Sequence, residues 1–426
     1  MLGDKRFLRT IKLRNILSFG PDTAELELQS LNVLIGPNGA GKSNLIEAIG
    51  LLQSAPGNFL EPVRSGGGIA EWLWKGSNGT PVAEIDVTVD YPPGKMPLRH
   101  RLSFTMVGQR AELVDEAIED ERPSLRYRPG TPFYYRYHGG HPILTVFTSL
   151  PNGERGPLEL EREDVIFNQS FLSQIKDPRQ FPEVTYLGSQ YARIRLFREW
   201  SLGRNTPPRR PQPTDLAAEF LSEDAANIAL VLNDLEHRSD LRAGIEAQFP
   251  NLAATLDDSA HRPSLRSRLK EHLREADESI EDFSIKVLGG TIQLYLHYSG
   301  LNAPVPVTRL SDGTIRYLCL LAVLCHPDPP PLVCLEEPEL GLHPDLLAPL
   351  AELLIDASHR MQLIVTTHSD TLVDGLTSVP EAVVVCEKEN GSTKMSRRTG
   401  EELAVWLKDY GMGQLWRRGE IGGNRW

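Results

Sequence analysis

A phosphate-binding pattern stands near the start of the chain. The stretch GPNGAGKS matches G-x-x-x-x-G-K-[ST], follows an apolar run and precedes a helix-like segment. Glycines let consecutive backbone N–H groups turn towards phosphate oxygens at a helix N-terminus, which favours anions. We therefore expect Lys42 to reach the β- and γ-phosphates of a nucleotide and the Ser43 hydroxyl to bind Mg²⁺. The predicted nucleotide-contacting residues are Gly36, Pro37, Asn38, Gly39, Ala40, Gly41, Lys42, Ser43 and Asn44.

Two adjacent carboxylates follow a short apolar run in the stretch PPLVCLEEPELGLHP, residues 330–344. The run Leu332–Leu335 predicts a buried strand, and open α/β sheets place ligands at the carboxyl ends of their strands. Neighbouring residues of a strand point to opposite faces, so the two carboxylates can have different roles. We expect Glu336 to hold Mg²⁺ through water and Glu337 to orient and polarise an attacking water. A plain acidic strand end is the alternative.

A histidine follows the apolar run QLIV in the stretch TTHS, Thr366 to Ser369. At the end of a neighbouring parallel strand, His368 would be able to hydrogen-bond a γ-phosphate. A lone histidine carries little information. The interpretation therefore depends on its position after the two other motifs.

A second phosphate-binding pattern, LSDGT at Leu310 to Thr314, opens an apolar helix. Ser311, the backbone around Gly313 and the helix N-terminus are groups that bind phosphate. One nucleotide has a single γ-phosphate, which the stretch at Gly36 to Ser43 already holds. A capped helix without further function is the alternative.

The arrangement of strands and helices predicts an α/β protein with a P-loop and a mostly parallel core. Short strands over 7–30 lead to the glycine loop, and after Val287 strands alternate with helices, which is typical of parallel crossovers. Residues 82–160 alternate with period two and predict an antiparallel β arm, whereas residues 165–283 are helical and polar. We expect a division into 1–160, an inserted helical lobe at 161–285, and 286–426, with the two ends forming one core.

Two further clusters have alternative interpretations. The aromatic residues Phe133, Tyr134, Tyr135 and Tyr137 would be able to stack bases, but aromatics at this spacing usually pack within a sheet. The most basic stretch runs from Arg193 to Arg210 and would be able to contact a phosphate backbone. Arginine runs more often form solvated surfaces.

The bulk composition is that of an ordinary globular protein. Net charge is -12, which argues against a chain that coats nucleic acid along its whole surface, and 40% of residues are hydrophobic. The cysteines Cys319, Cys325, Cys334 and Cys386 form no C-x-x-C pair, so we expect reduced, buried thiols. No apolar leader and no run long enough to cross a bilayer are evident, so we expect a cytoplasmic protein without membrane contact.

Taken in order, GPNGAGKS, LSDGT, LEEPELGLH and TTHS resemble the motifs of ABC-type ATPase heads. The likeness is greatest to the SMC/RecF-like group, including the overcoming-lysogenisation-defect proteins and the AAA_21 ATPases of bacterial defence operons. The opening IKLRNILSFG and, more weakly, the tail LWRRGEIGGNRW are also similar to members of this group. The resemblance therefore extends over nearly the whole chain.

The resemblance implies a dimer that sandwiches ATP, in which Ser311 acts in trans on the γ-phosphate held by the other copy. It implies that Glu339 to His343 form a loop between the two sites. It also implies a glutamine that senses Mg²⁺, for which Gln174 is the candidate and Gln169 and Gln190 are rivals. Arg64, before a triple glycine, would contact nucleotide or the opposing copy.

Two departures and one absence refine this expectation. The serine motif is S-D-G where transporters have S-G-G-Q, and Glu336 replaces the usual aspartate, which fits the SMC/RecF-like branch. The residues after Ser369 contain no D-x-D, so we expect no nuclease in this chain. The resemblance implies an Mg²⁺-dependent ATPase, a sensor and scaffold in DNA-linked or anti-phage defence that controls a separate effector such as a nuclease. A RecF-like repair factor and, less favoured, a nucleotide-binding subunit of a transporter are the alternatives.

Overall fold

The computed structural model describes residues 4–94, 96–122, 133–138, 141–147, 155–159, 166, 169–237 and 265–423. The chain divides into two compact units. The first contains Met1–Leu196, Pro330–Leu335 and Met361–Trp426, and the second contains Phe197–Pro329 and Glu336–Arg360. The predicted boundary between 160 and 161 lies outside the described residues. The predicted boundary between 285 and 286 falls inside a strand, Ile280–Leu288.

The described residues form eighteen strands and eleven α-helices. The strands are β1 (Leu8–Arg14), β2 (Leu26–Glu27), β3 (Leu31–Ile35), β4 (Ala83–Val89), β5 (Leu98–Val107), β6 (Arg110–Asp120), β7 (Phe133–His138), β8 (His141–Phe147), β9 (Arg155–Glu159), β10 (Arg195–Phe197), β11 (Gln212–Pro213), β12 (Ile280–Leu288), β13 (Thr291–Tyr298), β14 (Val305–Pro306), β15 (Leu332–Glu336), β16 (Gln362–Thr366), β17 (Val383–Glu389) and β18 (Ser392–Arg397). The helices are α1 (Lys42–Ser54), α2 (Glu61–Ser65), α3 (Ile69–Trp72), α4 (Pro182–Ala192), α5 (228–237), α6 (Leu265–Ala276), α7 (Asp312–Leu324), α8 (Leu347–Ala357), α9 (Asp370–Asp374), α10 (Gly400–Leu403) and α11 (Met412–Arg417).

A six-stranded sheet, in the order β10-β15-β16-β3-β17-β18, forms the core of the first unit. β16, β3 and β17 are parallel neighbours, and every residue of β3 and β16 is buried. Parallel strands that are covered on both faces have continuous apolar sequences, so LNVLI and QLIV do not alternate between apolar and polar residues. The prediction that both ends of the sequence build one parallel core is confirmed.

A second, antiparallel sheet in the first unit has the order β2-β1-β4-β5-β6-β7-β8-β9. Its strands β4 to β9 are the predicted antiparallel arm. Tyr135 on β7 is buried and stacks on Phe171, with ring centroids 3.7 Å apart and planes 4° from parallel. Tyr134 and Tyr137 pack against the same core, so these three rings serve sheet packing. The side chain of Phe133 lies outside the described residues.

The second unit contains a small sheet in which β11 and β12 flank β13, and β14 also pairs with β13. Gly289 and Gly290 join β12 to β13, and both have positive φ, as a two-residue hairpin turn requires. Helix α7 packs between α6 and α8, and its apolar residues are buried. The segment predicted to be helical up to about 283 is helical only to Ala276, because β12 begins at Ile280.

Candidate nucleotide-binding site

The glycine loop between β3 and α1 adopts a conformation that requires its glycines. Gly36, Gly39 and Gly41 have φ of 145°, 75° and 100°, where an L side chain is strained. A Cβ added at Gly36 would lie 2.2 Å from the carbonyl oxygen of Cys386 on β17. The loop is therefore closely packed against the sheet, and its backbone can approach a phosphate.

Lys42 and Ser43 occupy the first turn of α1, where the N-terminus of a 13-residue helix favours anions. Lys42 is buried, and its Nζ donates to the carbonyl oxygens of Gly36 at 2.8 Å and Pro37 at 3.3 Å. Its ammonium group therefore lies along the glycine loop. Ser43 is exposed beside it. This donor arrangement fits the phosphates of a nucleotide, with the Ser43 hydroxyl available to a metal ion.

Two hydroxyl groups far apart in the sequence support this loop from behind. Thr393 on β18 is 2% exposed, and its Oγ1 lies 2.9 Å from the carbonyl oxygen of Ala40 and 2.6 Å from Ser18 Oγ. Asn44 Nδ2 donates to Ser18 Oγ at 2.7 Å. A Cβ at Gly41 would be 2.1 Å from Thr393 Oγ1. We did not predict Ser18 or Thr393 from the sequence, because Thr393 lies 353 positions from Ala40 and no local pattern marks it.

The C-terminal tail packs under the first glycine of the loop. The Gly423 N–H donates to Glu387 Oε1 at 2.8 Å, and a Cβ added at Gly423 would lie 3.5 Å from the Cα of Gly36. Asp374 Oδ1 accepts from the N–H groups of Gly413 and Gln414, at 2.7 and 3.2 Å, which attaches α11 to the end of α9. The tail is therefore a structural part of the phosphate loop's surroundings.

His368 leaves the sheet next to the phosphate loop. It follows β16, and β16 is the parallel neighbour of β3, so both chain segments leave the sheet at the same edge. His368 is exposed, whereas Thr367 before it is buried. Ser369 Oγ accepts from the N–H of Leu372 at 3.1 Å and caps α9. This cap fixes where the chain turns after the histidine.

The serine motif begins α7 in the second unit. Ser311 Oγ accepts from the N–H of Thr314 at 3.0 Å and lies 2.7 Å from Thr314 Oγ1. Ser311 is exposed, so this helix N-terminus faces solvent. A Cβ at Gly313 would lie 2.7 Å from the carbonyl oxygen of Gly341, in the predicted crossing loop at 339–343. The motif is therefore a helix cap and also a contact with that loop.

The two carboxylates lie where β15 ends. Glu336 is the last residue of this strand, and Glu337 follows with φ of 45°. A positive φ is uncommon for a residue other than glycine and costs on the order of 1–2 kcal/mol. The bend at Glu337 directs the chain away from the strand into a turn, in which the Leu340 N–H donates to the Glu337 carbonyl at 3.1 Å. Such backbone strain is concentrated at functional sites.

The glutamine candidates differ in their surroundings. Gln174 Oε1 accepts from the N–H of Ile166 at 2.8 Å, and its Nε2 donates to the carbonyls of Ile166 and Gln169, at 3.2 and 3.3 Å. Gln169 is exposed, and Gln190 lies half-buried on α4. The role of Gln174 at a metal ion stays a prediction, and it would require these local bonds to open.

The arginine candidates also separate. Arg64 lines a cavity of about 720 Å³ together with Asn58, Gln109, Arg110 and Gln169, and its described lining contains no carboxylate. Within the basic stretch, Arg204 and Arg210 are exposed, whereas Arg209 is 5% exposed. Arg209 cannot contact an external phosphate backbone, because its guanidinium is bonded inside the second unit. The prediction of DNA contact is wrong for this residue.

All four cysteines are buried and none of them forms a disulfide, as predicted. Among the residues that the structure describes, no helix is long and apolar enough to cross a membrane.

This chain is similar to a known protein family and to several solved structures. The family model AAA_21, described as "AAA domain, putative AbiEii toxin, Type IV TA system", matches residues 31–374. The Smc head domain of Pyrococcus furiosus, with an extended coiled coil and the C-terminal domain of ScpA, is 14% identical with a TM-score of 0.55, over 95% of this chain and 99% of that chain. An SmcHead bound to the C-winged helix domain of ScpA is 14% identical with a TM-score of 0.53, over 93% and 99%.

The Smc head domain of Pyrococcus yayanosii, with a coiled coil and joint, is 11% identical with a TM-score of 0.50, over 95% and 99%. At these identities the likeness shows a shared fold. No curated protein matches the chain.

Proposed function

This chain belongs to the AAA_21 family and has the fold of an ABC-type ATPase head of the SMC/RecF-like group. We therefore propose that it hydrolyses ATP in an Mg²⁺-dependent reaction and that it does so as a dimer. Two copies close around two ATP molecules and open after hydrolysis. Phosphoryl transfer to water depends on positioning and charge neutralisation more than on covalent chemistry. The residues of this chain supply both.

Each residue has a defined task in this mechanism. The backbone N–H groups of the non-proline residues from Gly36 to Ser43 and the Lys42 ammonium bind the phosphates, and His368 donates a hydrogen bond to the γ-phosphate. Ser43 and Glu336 would hold Mg²⁺, whose charge offsets that of the phosphates; oxygen ligands suit this ion. Glu337 accepts a hydrogen bond from the attacking water and takes its proton as the new P–O bond forms. The bond from the γ-phosphorus to the bridging oxygen breaks in the same step, and ADP leaves.

The observation that carries the dimer is the exposure of Ser311. The phosphate loop of the first unit already contains a lysine, a helix N-terminus and inward-turning glycines. Ser311 begins a separate helix in the second unit and is exposed there, with its Oγ capping α7. We infer that it serves the nucleotide of a second copy.

Mixing two inactive variants tests this proposal. Lys42→Ala removes the ammonium group that binds phosphate. Ser311→Arg removes the serine hydroxyl and puts a bulky side chain in its place. In a mixed dimer, the loop of the Ser311→Arg copy meets the intact serine of the Lys42→Ala copy. Each variant alone should be inactive, and an equal mixture should regain about a quarter of the wild-type rate, since half the dimers are mixed and each has one intact site. No recovery would rule out the shared site.

We further propose that the closed dimer acts as a sensor and scaffold for a separate effector, such as a nuclease. The description of the matching family names a putative toxin of a toxin–antitoxin system, and two of the similar heads are bound to ScpA. Both support a protein partner. Co-expression with a nuclease or toxin-like gene from the same operon, followed by measurement of ATP-dependent complex formation, tests this role.

The exposed side chains of Arg204 and Arg210 favour a second candidate, a DNA-linked ATPase of the RecF-like type. Contacts to phosphates make binding fall steeply as salt increases. The ATPase rate should then rise with gapped DNA, and Arg204→Gln with Arg210→Gln should remove that stimulation without changing the rate measured without DNA. If gapped DNA does not raise the ATPase rate at low salt, the DNA-linked candidate is rejected and the role with a protein partner remains.

A further inference from the structure

The motif S-D-G places a carboxylate beside the serine that contacts phosphate. Asp312 directly follows Ser311 in the first turn of α7, and its side chain is 71% exposed. In the proposed dimer, Ser311 approaches the γ-phosphate of the other copy. An unneutralised carboxylate one residue away would repel this anion, since like charges at such separations disfavour each other.

A buried guanidinium is bonded to that carboxylate. Arg209 Nη2 donates to Asp312 Oδ1, while the Arg209 side chain is 6% exposed. The same side chain donates through Nε to the carbonyl of Leu202 and through Nη1 to the carbonyl of Leu310, both at 2.6 Å. The Arg209 guanidinium therefore fixes the chain on both sides of Ser311, at Leu310 and Asp312, and its positive charge lies beside the Asp312 carboxylate.

A second arginine, on the same helix as Asp312, has different contacts. Arg316 lies one helical turn further along α7, with its guanidinium 5.7 Å from the ring centroid of Trp200. Burial lowers the pKa of Arg316, and the charges of Asp312 and Glu339 act against this shift. It is Arg209 that bonds the Asp312 carboxylate directly.

We propose that Arg209 is the positioning residue that makes an aspartate tolerable in this phosphate-binding motif, by neutralising Asp312 and fixing the backbone that presents Ser311. This inference rests on the proposed function, in which Ser311 serves a second copy. It also assigns the segment around Pro207–Arg209 to the ATPase site. The composition of the same segment predicts a DNA-binding surface or a solvated surface.

Removing the charges of Arg209 and Asp312, singly and together, tests whether Arg209 acts by neutralising Asp312. Arg209→Gln should lower kcat at least tenfold, with unchanged ATP affinity at the variant's own phosphate loop. Adding Asp312→Asn to Arg209→Gln should restore a large part of kcat, with Asp312→Asn alone as the reference. Arg209→Lys keeps the charge and loses the fork, so its kcat should lie between those of Arg209→Gln and the wild type. Arg179→Gln, at an exposed arginine to which no role is assigned, is the matched control.

Two outcomes would overturn the inference. One is an Arg209→Gln enzyme with wild-type kcat; the other is a double variant no faster than Arg209→Gln alone. Thermal unfolding of each variant shows whether the protein is folded. If Arg209→Gln does not fold, the comparison is made between Arg209→Lys and Arg209→Lys with Asp312→Asn, where removal of the carboxylate should no longer matter because the lysine already neutralises it. A large gain there would also contradict the proposal.

Mixed dimers separate this inference from the proposed function. Arg209→Gln mixed with Lys42→Ala forms one site with an intact loop and an intact serine motif, so activity should recover. The mixture of Ser311→Arg with Lys42→Ala is the control. Recovery in the control alone would reject the role of Arg209, whereas recovery in neither mixture would reject the shared site itself.

Discussion

Gly313 of the serine motif lies directly against the backbone of Gly341, so that a Cβ at 313 would be 2.7 Å from the Gly341 carbonyl oxygen. Gly341 has φ of 73°, a conformation that glycine adopts without strain. Both residues belong to the second unit. The helix that presents Ser311 and the loop that follows Glu337 are therefore in backbone contact, and a shift of one displaces the other.

Replacing Gly313 with alanine should uncouple this pair. The added methyl group meets a backbone oxygen that cannot move alone, and overpacking of this kind costs about 1–3 kcal/mol. We expect the serine motif to shift away from this clash and kcat to fall roughly tenfold or more, which corresponds to about 1.4 kcal/mol in the activation free energy. Binding of ATP to the phosphate loop should persist. Steady-state hydrolysis and nucleotide titration measure the two quantities.

Gly79→Ala is the control for this change. A Cβ at Gly79 meets nothing within 4 Å, and the φ of Gly79 is not positive. Hydrolysis by Gly79→Ala should equal that of the wild type. An active Gly313→Ala enzyme would mean that the contact between the two loops is unimportant for turnover.

Lys42→Ala and Glu337→Gln should fail at different steps. Without the Lys42 ammonium the phosphates lose their main positive charge, so nucleotide binding should be lost. Glu337→Gln keeps the shape but removes the base, so ATP should bind while hydrolysis falls by about 10²–10⁴, the usual contribution of a general base. The variant should then accumulate as a closed dimer, which mass measurement with Mg²⁺ and ATP detects.

One result would contradict the assignment of Glu337 as the general base. Wild-type turnover in Glu337→Gln would show that another group orients the water. Glu352 is an exposed carboxylate on α8, and Glu352→Gln is a suitable control. It should change neither the hydrolysis rate nor the particle mass with Mg²⁺ and ATP.

Thr393→Val should weaken nucleotide binding although Thr393 lies behind the loop. Valine has a similar shape, but it lacks the hydroxyl that lies 2.9 Å from the Ala40 carbonyl and 2.6 Å from Ser18 Oγ. A buried acceptor that loses its partner costs about 1–3 kcal/mol. We expect the Kd for ATP to rise roughly five-fold or more, measured by titration. Thr393→Ser retains the hydroxyl and should bind nearly as the wild type does.

Buried thiols should make the folded state less stable in alkali. Burial raises the pKa of Cys319 and Cys386 to about 12 and that of Cys325 to about 11, from an ordinary value of 9.0. Above about pH 9 the unfolded chain therefore loses thiol protons that the folded chain keeps. Because the unfolded state then binds fewer protons, the free energy of unfolding falls with pH, by roughly 1.4 kcal/mol per pH unit for each thiol.

Chemical unfolding at several pH values measures this slope. Cys386→Ala should make the slope shallower by the contribution of one thiol, whatever its effect on stability at neutral pH. A slope unchanged by this substitution would show that Cys386 ionises equally in the folded and unfolded chains. Below about pH 8 the thiols should contribute no pH dependence, since both states are then protonated.

Contiguous motifs were predictable because their physics is local. A strand, a glycine turn and a helix N-terminus in one stretch fix the phosphate loop, and the apolar run before Glu336 places this carboxylate at a strand end. The start of β12 at Ile280 was predicted too late, since polar residues on its exposed positions matched a solvated helix equally well. Gln174 was chosen by resemblance, and local sequence does not reveal the bonds to Ile166 and Gln169 that occupy its side chain.

The sequence by itself determined that the chain has a glycine loop between a strand and a helix, a serine-capped helix at LSDGT and a parallel core built from both ends. These depend on residue type and on spacing over a few positions. Only the tertiary structure decided that Thr393 supports Ala40, that Gly423 lies beside Gly36, and that Arg209 faces Asp312 instead of solvent. The physical reason is that such contacts join residues distant in the chain, and an arginine or threonine is equally suited to water or to a buried partner until packing places one beside it.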